Sequence, residues 1–469
     1  MVTAEVNEAP RGASAANAST FVTLQVGEDL LDRFLKSDPL KAVEELIWNA
    51  LDAEATEVVV KIEEQTEIQG LSHIQVKDNG HGMQPEKCCE YFGYQGNSWK
   101  KARHRSLGGL RPVHGRHGEG RLFALGLSSS PTWTSVADDA EGRRLRSVVR
   151  TSRLSPNRAE ILPATATDEQ IGTVVDLPAL QVSAEISRHL GVLVSDRAHE
   201  RLLLPLAAYL LAFPTTRVVY RGRELKPQDD LVGQPVDIGM AIPTDSWLEE
   251  PPVLTIYEWK STKAASGLFL CTEEGAALCE VELRRPTRSR SVSYTGYVRW
   301  RGFTKLGGLD TPEATYRSLI DEADHILASF VAEREQELLG RMEEEWEREQ
   351  SYPWKTKPQS LVEQAERDLF AVVATVARKR IPKKLDDRKT VFALLRATLE
   401  SNPSSLRRII NEVLRLDPDE QAQLNELLDR TSLSNIIKLA NEIGHRLDVV
   451  RVLHEVLVPN PRRTAVIVF

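Results

Sequence analysis

The chain has 469 residues, 41% hydrophobic and 27% charged, with 60 Lys and Arg against 68 Asp and Glu for a formal charge of −8. This is the balance of a globular protein with enough length for about three domains, and it excludes a collagenous, wholly disordered or disulfide-stapled chain. There is no run of about 18 apolar residues and no apolar core in the first twenty, so neither a membrane span nor a secretory leader is expected, and the four cysteines suit a reducing cytoplasm.

In chain order, residues 1–20 lack periodicity and read as a flexible tail. Strand-like runs follow at Phe21–Val26, Glu57–Glu63, His73–Lys77, Thr132–Val136, Leu145–Thr151 and Thr173–Leu177. They alternate with helical patterns at Lys41–Asp52, Glu86–Phe92 and Gly120–Leu127, an α/β sandwich signature. A second unit opens with the Leu-rich helix Ala198–Phe213 and continues with strand-like runs Arg217–Tyr220, Leu254–Trp259, Gly267–Leu270 and Ser291–Trp300. Residues 311–350 read as one long charged helix, begun by the cap Thr311-Pro312-Glu313 and ended by the proline-containing segment Ser351–Gln359. Residues 360–458 are helical with short turns, and the chain closes on the apolar run Ala465–Phe469.

Four segments carry chemistry-bearing residues. In Lys41–Asp52, the helical turn places Glu45, Asn49 and Asp52 within about 60° on one face, opposite an apolar stripe of Leu46, Ile47, Ala50 and Leu51. A solvated helix surface has the same pattern. The strand His73–Lys77 runs into Asp78-Asn79-Gly80-His81-Gly82-Met83: an ordinary tight turn, or glycines that admit a ligand beside an aspartate able to accept from an exocyclic amine. Gly115-Arg116-His117-Gly118-Glu119-Gly120-Arg121 precedes an apolar helix, where backbone N–H groups attract an anion. It has neither the P-loop order nor that of a dinucleotide-binding turn. Lastly, Gly172-Thr173 begins a strand with a hydroxyl to offer.

Taken in order, ExxxN on a helix, DxGxG after a strand, GxxGxG before a helix and a later GT strand, the set resembles the GHKL (Bergerat-fold) ATPases, a family that takes in DNA gyrase B, heat-shock protein 90, histidine kinases and MutL. The resemblance covers residues 40–177. It implies an α+β chain with a Bergerat-fold ATPase domain over 21–182, an S5-like transducer domain over 183–310, a connecting helix over 311–350, an all-helical region over 351–458 and a tail over 459–469. It implies ATP and Mg²⁺ as ligands, Glu45 as general base and Asn49 as the Mg²⁺ ligand. Asp52, Asp78, Gly80, Gly82, Met83 and Thr173 fall to the nucleotide, with Asp78 reading the adenine amine and Gly115, Gly118 and Gly120 cradling phosphates beside Arg116, His117, Glu119 and Arg121. The basic segment 94–114 corresponds to a lid over the triphosphate, with Gly96, Asn97, Ser98 and Lys100 at its start; a solvated basic loop is the plainer alternative. Lys260, Arg301 and Lys305 are candidates for a basic residue reaching the γ-phosphate.

The layout is nearest to prokaryotic heat-shock-protein-90-like or MORC-like proteins. It implies nucleotide-driven homodimerisation acting on a nucleic acid or a protein partner, in the cytoplasm and away from membranes. Over residues 284–305, Arg284, Arg285, Arg288, Arg290, Arg299, Arg301 and Lys305, interleaved with Tyr294, Tyr297 and Trp300, fit a nucleic-acid contact or an ordinary edge strand and its loop. A chaperone-like scaffold that binds ATP with little hydrolysis is the alternative. His104, His114 and His117 have no acid or cysteine at ligand spacing, which disfavours a metal centre.

Overall fold

The computed structural model describes residues 19–23, 37–65, 70–93, 106, 108–109, 111, 114, 120–178, 189–241, 250–261, 267–283, 292–305, 316–376 and 380–401. The chain divides into two compact units, the first holding residues 1–288 and 293–328 and the second 289–292 and 329–469.

The first unit begins with strand β1 (Thr20–Thr23), helix α1 (Pro39–Asp52), β2 (Glu57–Gln65) and β3 (Gly70–Asp78). Helix α2 (Cys88–Gly93) and helix α3 (Gly120–Leu127) follow. Next come β4 (Thr132–Asp138), β5 (Arg144–Ser152), β6 (Ser155–Ile161), β7 (Thr165–Ala166) and β8 (Gly172–Pro178). Helix α1 starts where Asp38 accepts a hydrogen bond from Leu40 N at 2.9 Å, with Pro39 in the first turn. Its apolar stripe forms as expected: Leu46, Ile47, Ala50 and Leu51 are buried. Alternation does the same for the strands. Val58 and Val60 of β2, Ile74 and Val76 of β3, and Val175 and Leu177 of β8 join those α1 residues in one core. Each such side chain removed from water is worth about 1.5–3 kcal/mol.

Helix α4 (Ala198–Ala212) is apolar nearly all round and buried accordingly. After it come β9 (Arg217–Tyr220), β10 (Arg223–Glu224), β11 (Val236–Gly239), β12 (Val253–Trp259), β13 (Gly267–Cys271), β14 (Ala277–Val281) and β15 (Ser293–Arg299). The first sheet runs β1-β6-β5-β4-β8-β3-β2-β9-β10, with β7 beside β5; the second runs β11-β12-β15-β13-β14. Strand β9, expected in the second domain, instead pairs in parallel with β2, placing Val218 beside Val58. The core is likewise continuous: Tyr257, Phe269, Ala277 and Tyr297 of the second sheet share it with α1 and α4. Tyr297 OH donates to the Leu204 carbonyl of α4 at 2.6 Å. Of the two domains expected over 21–182 and 183–310, all residues but 289–292 therefore fall within one compact unit.

Helix α5 (Arg317–Arg348) covers most of the expected 311–350, and the boundary between the units falls inside it. The second unit adds α6 (Leu361–Val376) and α7 (Leu385–Ser401), with Trp346, Trp354, Phe370 and Phe392 as its aromatic core. The expected cap at Thr311-Pro312-Glu313, the helices beyond Ser401 and the terminal run Ala465–Phe469 lie outside the described residues.

Candidate functional site

Strand register builds one end of the site. Asp78 on β3 pairs with Thr173 on β8, and Thr173 pairs with Ser135 on β4, so three polar residues stand side by side on adjacent strands. Asp78 Oδ1 accepts from Gly80 N at 2.8 Å and from Thr173 N at 3.2 Å. Among the described residues, no hydrogen bond is directed at Oδ2. Burial pushes the Asp78 carboxyl up to about 6, against the pull of those two donors. Ser135 Oγ lies 3.0 Å from Thr173 Oγ1 and accepts from Met83 N at 2.8 Å, which fixes the Asp78–Met83 loop to β4. Sequence reasoning missed Ser135; only the pairing of β4 with β8 brings it here.

The glycines of this loop have an internal reason to be glycine. Gly82 sits at φ +68°, and a Cβ there would lie 2.2 Å from the Val136 carbonyl oxygen. A Cβ on Gly80 would lie 2.6 Å from the Ala53 carbonyl oxygen. Both therefore serve close backbone packing, whatever they also allow a ligand. His81 N donates to the Ala53 carbonyl at 2.9 Å, and Asn79 Oδ1 accepts from the N–H groups of Thr56 and Glu57. The loop is thus laced to the end of α1.

Helix α1 builds the other end. Asn49 is exposed, Glu45 is half-buried and Asp52 is buried at 3% exposure. Glu45 Oε1 lies 3.5 Å from Lys41 Nζ, one turn earlier, and 3.7 Å from His114 Nε2. Burial raises the Glu45 carboxyl, but His114 and then Lys41 outweigh it and hold it at about 2. Asp52 Oδ1 accepts from His114 N at 2.8 Å, and the His114 ring stacks on Trp48 at 4.3 Å and 8°. Asp52, expected on the polar face, thus positions a backbone N–H.

Of the expected lid, Ser106, Gly108, Gly109, Arg111 and His114 are described. Ser106 Oγ donates to Glu54, and Arg111 Nη1 donates to the Ala55 carbonyl at 2.6 Å with its guanidinium 5.6 Å from the Phe213 ring centre. Gly120 opens helix α3, and Arg121 follows it. Gly96, Asn97, Ser98, Lys100, Gly115, Arg116, His117, Gly118 and Glu119 lie outside the described residues, as do His104 and the arginines 284–290. Among the described residues no group of three His, Cys, Asp or Glu is placed to hold a metal, and no helix is long and apolar enough to cross a membrane. An exposed carboxamide oxygen such as that of Asn49 suits a hard cation shared with a polyanion, rather than a cage made by protein alone.

Comparison with known proteins adds three findings. Residues 37–174 match the family described as histidine kinase-, DNA gyrase B-, and HSP90-like ATPase. A stretch of 48 residues, 10% of this chain, is 50% identical to a DNA mismatch repair protein MutL of Exiguobacterium sibiricum and spans 7% of that protein's length. A solved structure of the N-terminal domain of a DNA repair protein aligns over 66% of this chain and 98% of its own length, at 13% identity and a TM-score of 0.40.

Proposed function

We propose that this chain, whose residues 37–174 match the histidine kinase-, DNA gyrase B-, and HSP90-like ATPase family, binds ATP between these two ends and hydrolyses it. The observation that carries the reading is the buried Asp78 carboxylate, whose two backbone donors both use Oδ1. A buried anion with one oxygen unserved among the described residues is matched by an exocyclic amine, as adenine offers. Thr173 and Ser135 extend the polar row beside it.

At the other end Glu45 orients the attacking water. As the water oxygen bonds to the γ-phosphorus and the bond to the ADP oxygen breaks, the water's proton passes to Glu45. Mg²⁺, when bound, supplies charge neutralisation on the phosphates, and Asn49 would hold it. Backbone N–H groups at the start of α3, from Gly120, would face the phosphates.

The position of the Glu45 carboxyl near 2 favours a second reading as well. A carboxylate held so low is a weak base, which suits a protein that uses ATP as a conformational switch with little turnover. Phosphate release by wild type against Glu45→Gln, with nucleotide affinity measured on both, separates the two. Hydrolysis predicts a loss of about 100-fold or more in rate with affinity retained; equal rates leave the switch. The likeness to a mismatch repair protein supports nucleotide-driven pairing of two copies on DNA or on a protein partner. Mass measured with a non-hydrolysable nucleotide tests the pairing, and DNA affinity against salt tests the nucleic acid, since phosphate contacts give a steep slope.

A further inference from the structure

We propose that His114 is a positioning residue for the hydrolytic step, setting the Glu45 carboxylate and tying it to the second sheet of the same unit. The assignment rests on the reading of Glu45 as general base. It starts from the number of directions in which this one side chain is held. Its ring lies flat on Trp48, its backbone N–H is taken by Asp52, its Nδ1 meets the Ala277 carbonyl at the start of β14, and its Nε2 faces Glu45 Oε1 at 3.7 Å. The side chain is only 7% exposed. The floor beneath it is fixed too. Trp48 is buried, its indole N–H donates to Glu44 at 3.2 Å, and its ring meets Tyr209 of α4 edge-on at 5.3 Å.

The donors and acceptors then set the chemistry. The Ala277 carbonyl oxygen only accepts, so the ring meets it favourably through an N–H at Nδ1. An ionised carboxylate also only accepts, so the approach of Nε2 to Glu45 is attractive when Nε2 carries a hydrogen as well. Lys41 and His114 both approach Oε1, from opposite directions along the chain. Oε1 is thereby the anchored oxygen of Glu45, and Oε2 takes the proton of the attacking water.

The anchor leads away from α1. Ala277 opens β14, the edge strand of the second sheet, and β14 pairs with β13, which pairs with β15. The turn before β14 rests on α4, where a Cβ on Gly275 would lie 3.1 Å from the Ala208 carbonyl. Glu280 of the same strand is close enough to Glu44 that, after burial, that repulsion is the next cause raising its carboxyl. The base on α1 and the second sheet are therefore joined through one imidazole, so a shift of β14 against α1 changes how Glu45 is held.

The test compares His114→Phe, which keeps a flat ring on Trp48 without an N–H, with His114→Gln, which restores an N–H donor without the ring. Expected for His114→Phe is a kcat lowered about tenfold or more, with KM and nucleotide Kd within about twofold of wild type. His114→Gln recovers part of that loss. A wild-type kcat in His114→Phe overturns the assignment, as does a loss confined to KM and thermal midpoint, or a Gln variant no faster than the Phe variant. Nitrogen-15 spectra of the histidine side chains give a readout independent of turnover. They are expected to show His114 ring-nitrogen resonances that shift between wild type and Glu45→Gln; no change between the two overturns the contact. Wild type no faster than Glu45→Gln removes the hydrolysis reading itself and this assignment with it. Wild type faster than Glu45→Gln, with His114→Phe equal to wild type, removes this assignment alone.

Discussion

The two ends of the candidate site are built from different materials. At the Asp78 end, three adjacent strands supply the row Asp78, Thr173 and Ser135, and Asp78's partners there are backbone N–H groups. At the Glu45 end, a helix supplies the acid and long side chains supply its partners, Lys41 from one turn away and His114 from 69 positions on, counting 114 minus 45. The electrostatic outcome is opposite: burial dominates at Asp78 and leaves about 6, whereas His114 and Lys41 overcome burial at Glu45 and leave about 2. Backbone-built geometry is rigid and costs an anion part of its solvation; side-chain geometry is adjustable and stabilises one.

That contrast predicts where the chain is least tolerant. Gly82→Ala adds a Cβ that meets the Val136 carbonyl at a positive φ, and is expected to destabilise the fold by about 3 kcal/mol or more. Gly142→Ala, also at positive φ but with nothing within 4 Å, is expected to cost about 1 kcal/mol. Urea midpoints of the two check this; equal losses would break the claim that close packing dictates the Asp78 loop.

The opposite shifts give opposite pH dependence. The Asp78 carboxyl is raised from its ordinary 3.8 to about 6, so its contribution to stability is full below 3.8 and lost as pH rises through 6. The Glu45 carboxyl is lowered from 4.5 to about 2, so its contribution is present above 4.5 and lost as pH falls through 2. Relative to wild type, Asp78→Asn is therefore expected to gain stability between pH 4 and pH 7, while Glu45→Gln is expected to be the less stable chain at pH 6 and to close the gap toward pH 2. Urea titrations across that range measure both, and shifts of the same sign would contradict the contrast. A comparably small effect is expected from Ser135→Ala, which loses a side-chain bond to Met83 N and one to Thr173: about 1 kcal/mol, or roughly fivefold in nucleotide affinity.

The same contrast explains what could be read from the sequence. The Asp78–Met83 turn, with Gly80 and Gly82, was legible because local backbone chemistry favours those residue types at short spacing, whereas the meeting of Thr173 with Asp78 depends on β3 pairing with β8. The α1 face was legible from helical periodicity, and the strands β2, β3, β4, β5 and β8 from apolar alternation. Strand β6 was missed because its Ser155–Ile161 sequence is largely polar and exposed, carrying Pro156 and only two buried positions. Strand β14 was missed because Ala277–Val281 is short and mixes Cys279 and Glu280 among its apolar residues. Ser135 and the role of His114 depend on which strands become neighbours, a long-range fact that no local pattern encodes. The placement of β9 beside β2 is of the same kind: its Val218-Val219-Tyr220 run identifies a strand, not the sheet that takes it.

The central claim is that a buried carboxylate in the strand-built end reads an exocyclic amine, and nucleotide selectivity tests it most directly. ATP and GTP differ where Asp78 is proposed to bind: ATP presents an amine donor, GTP a carbonyl acceptor that a carboxylate repels. Titrating both into wild type and Asp78→Asn by calorimetry at pH 7.5, wild type is expected to bind ATP about 100-fold or more tighter than GTP, and Asp78→Asn to lose most of that gap. Equal affinity of wild type for the two nucleotides, or a gap that Asp78→Asn leaves intact, would contradict the account.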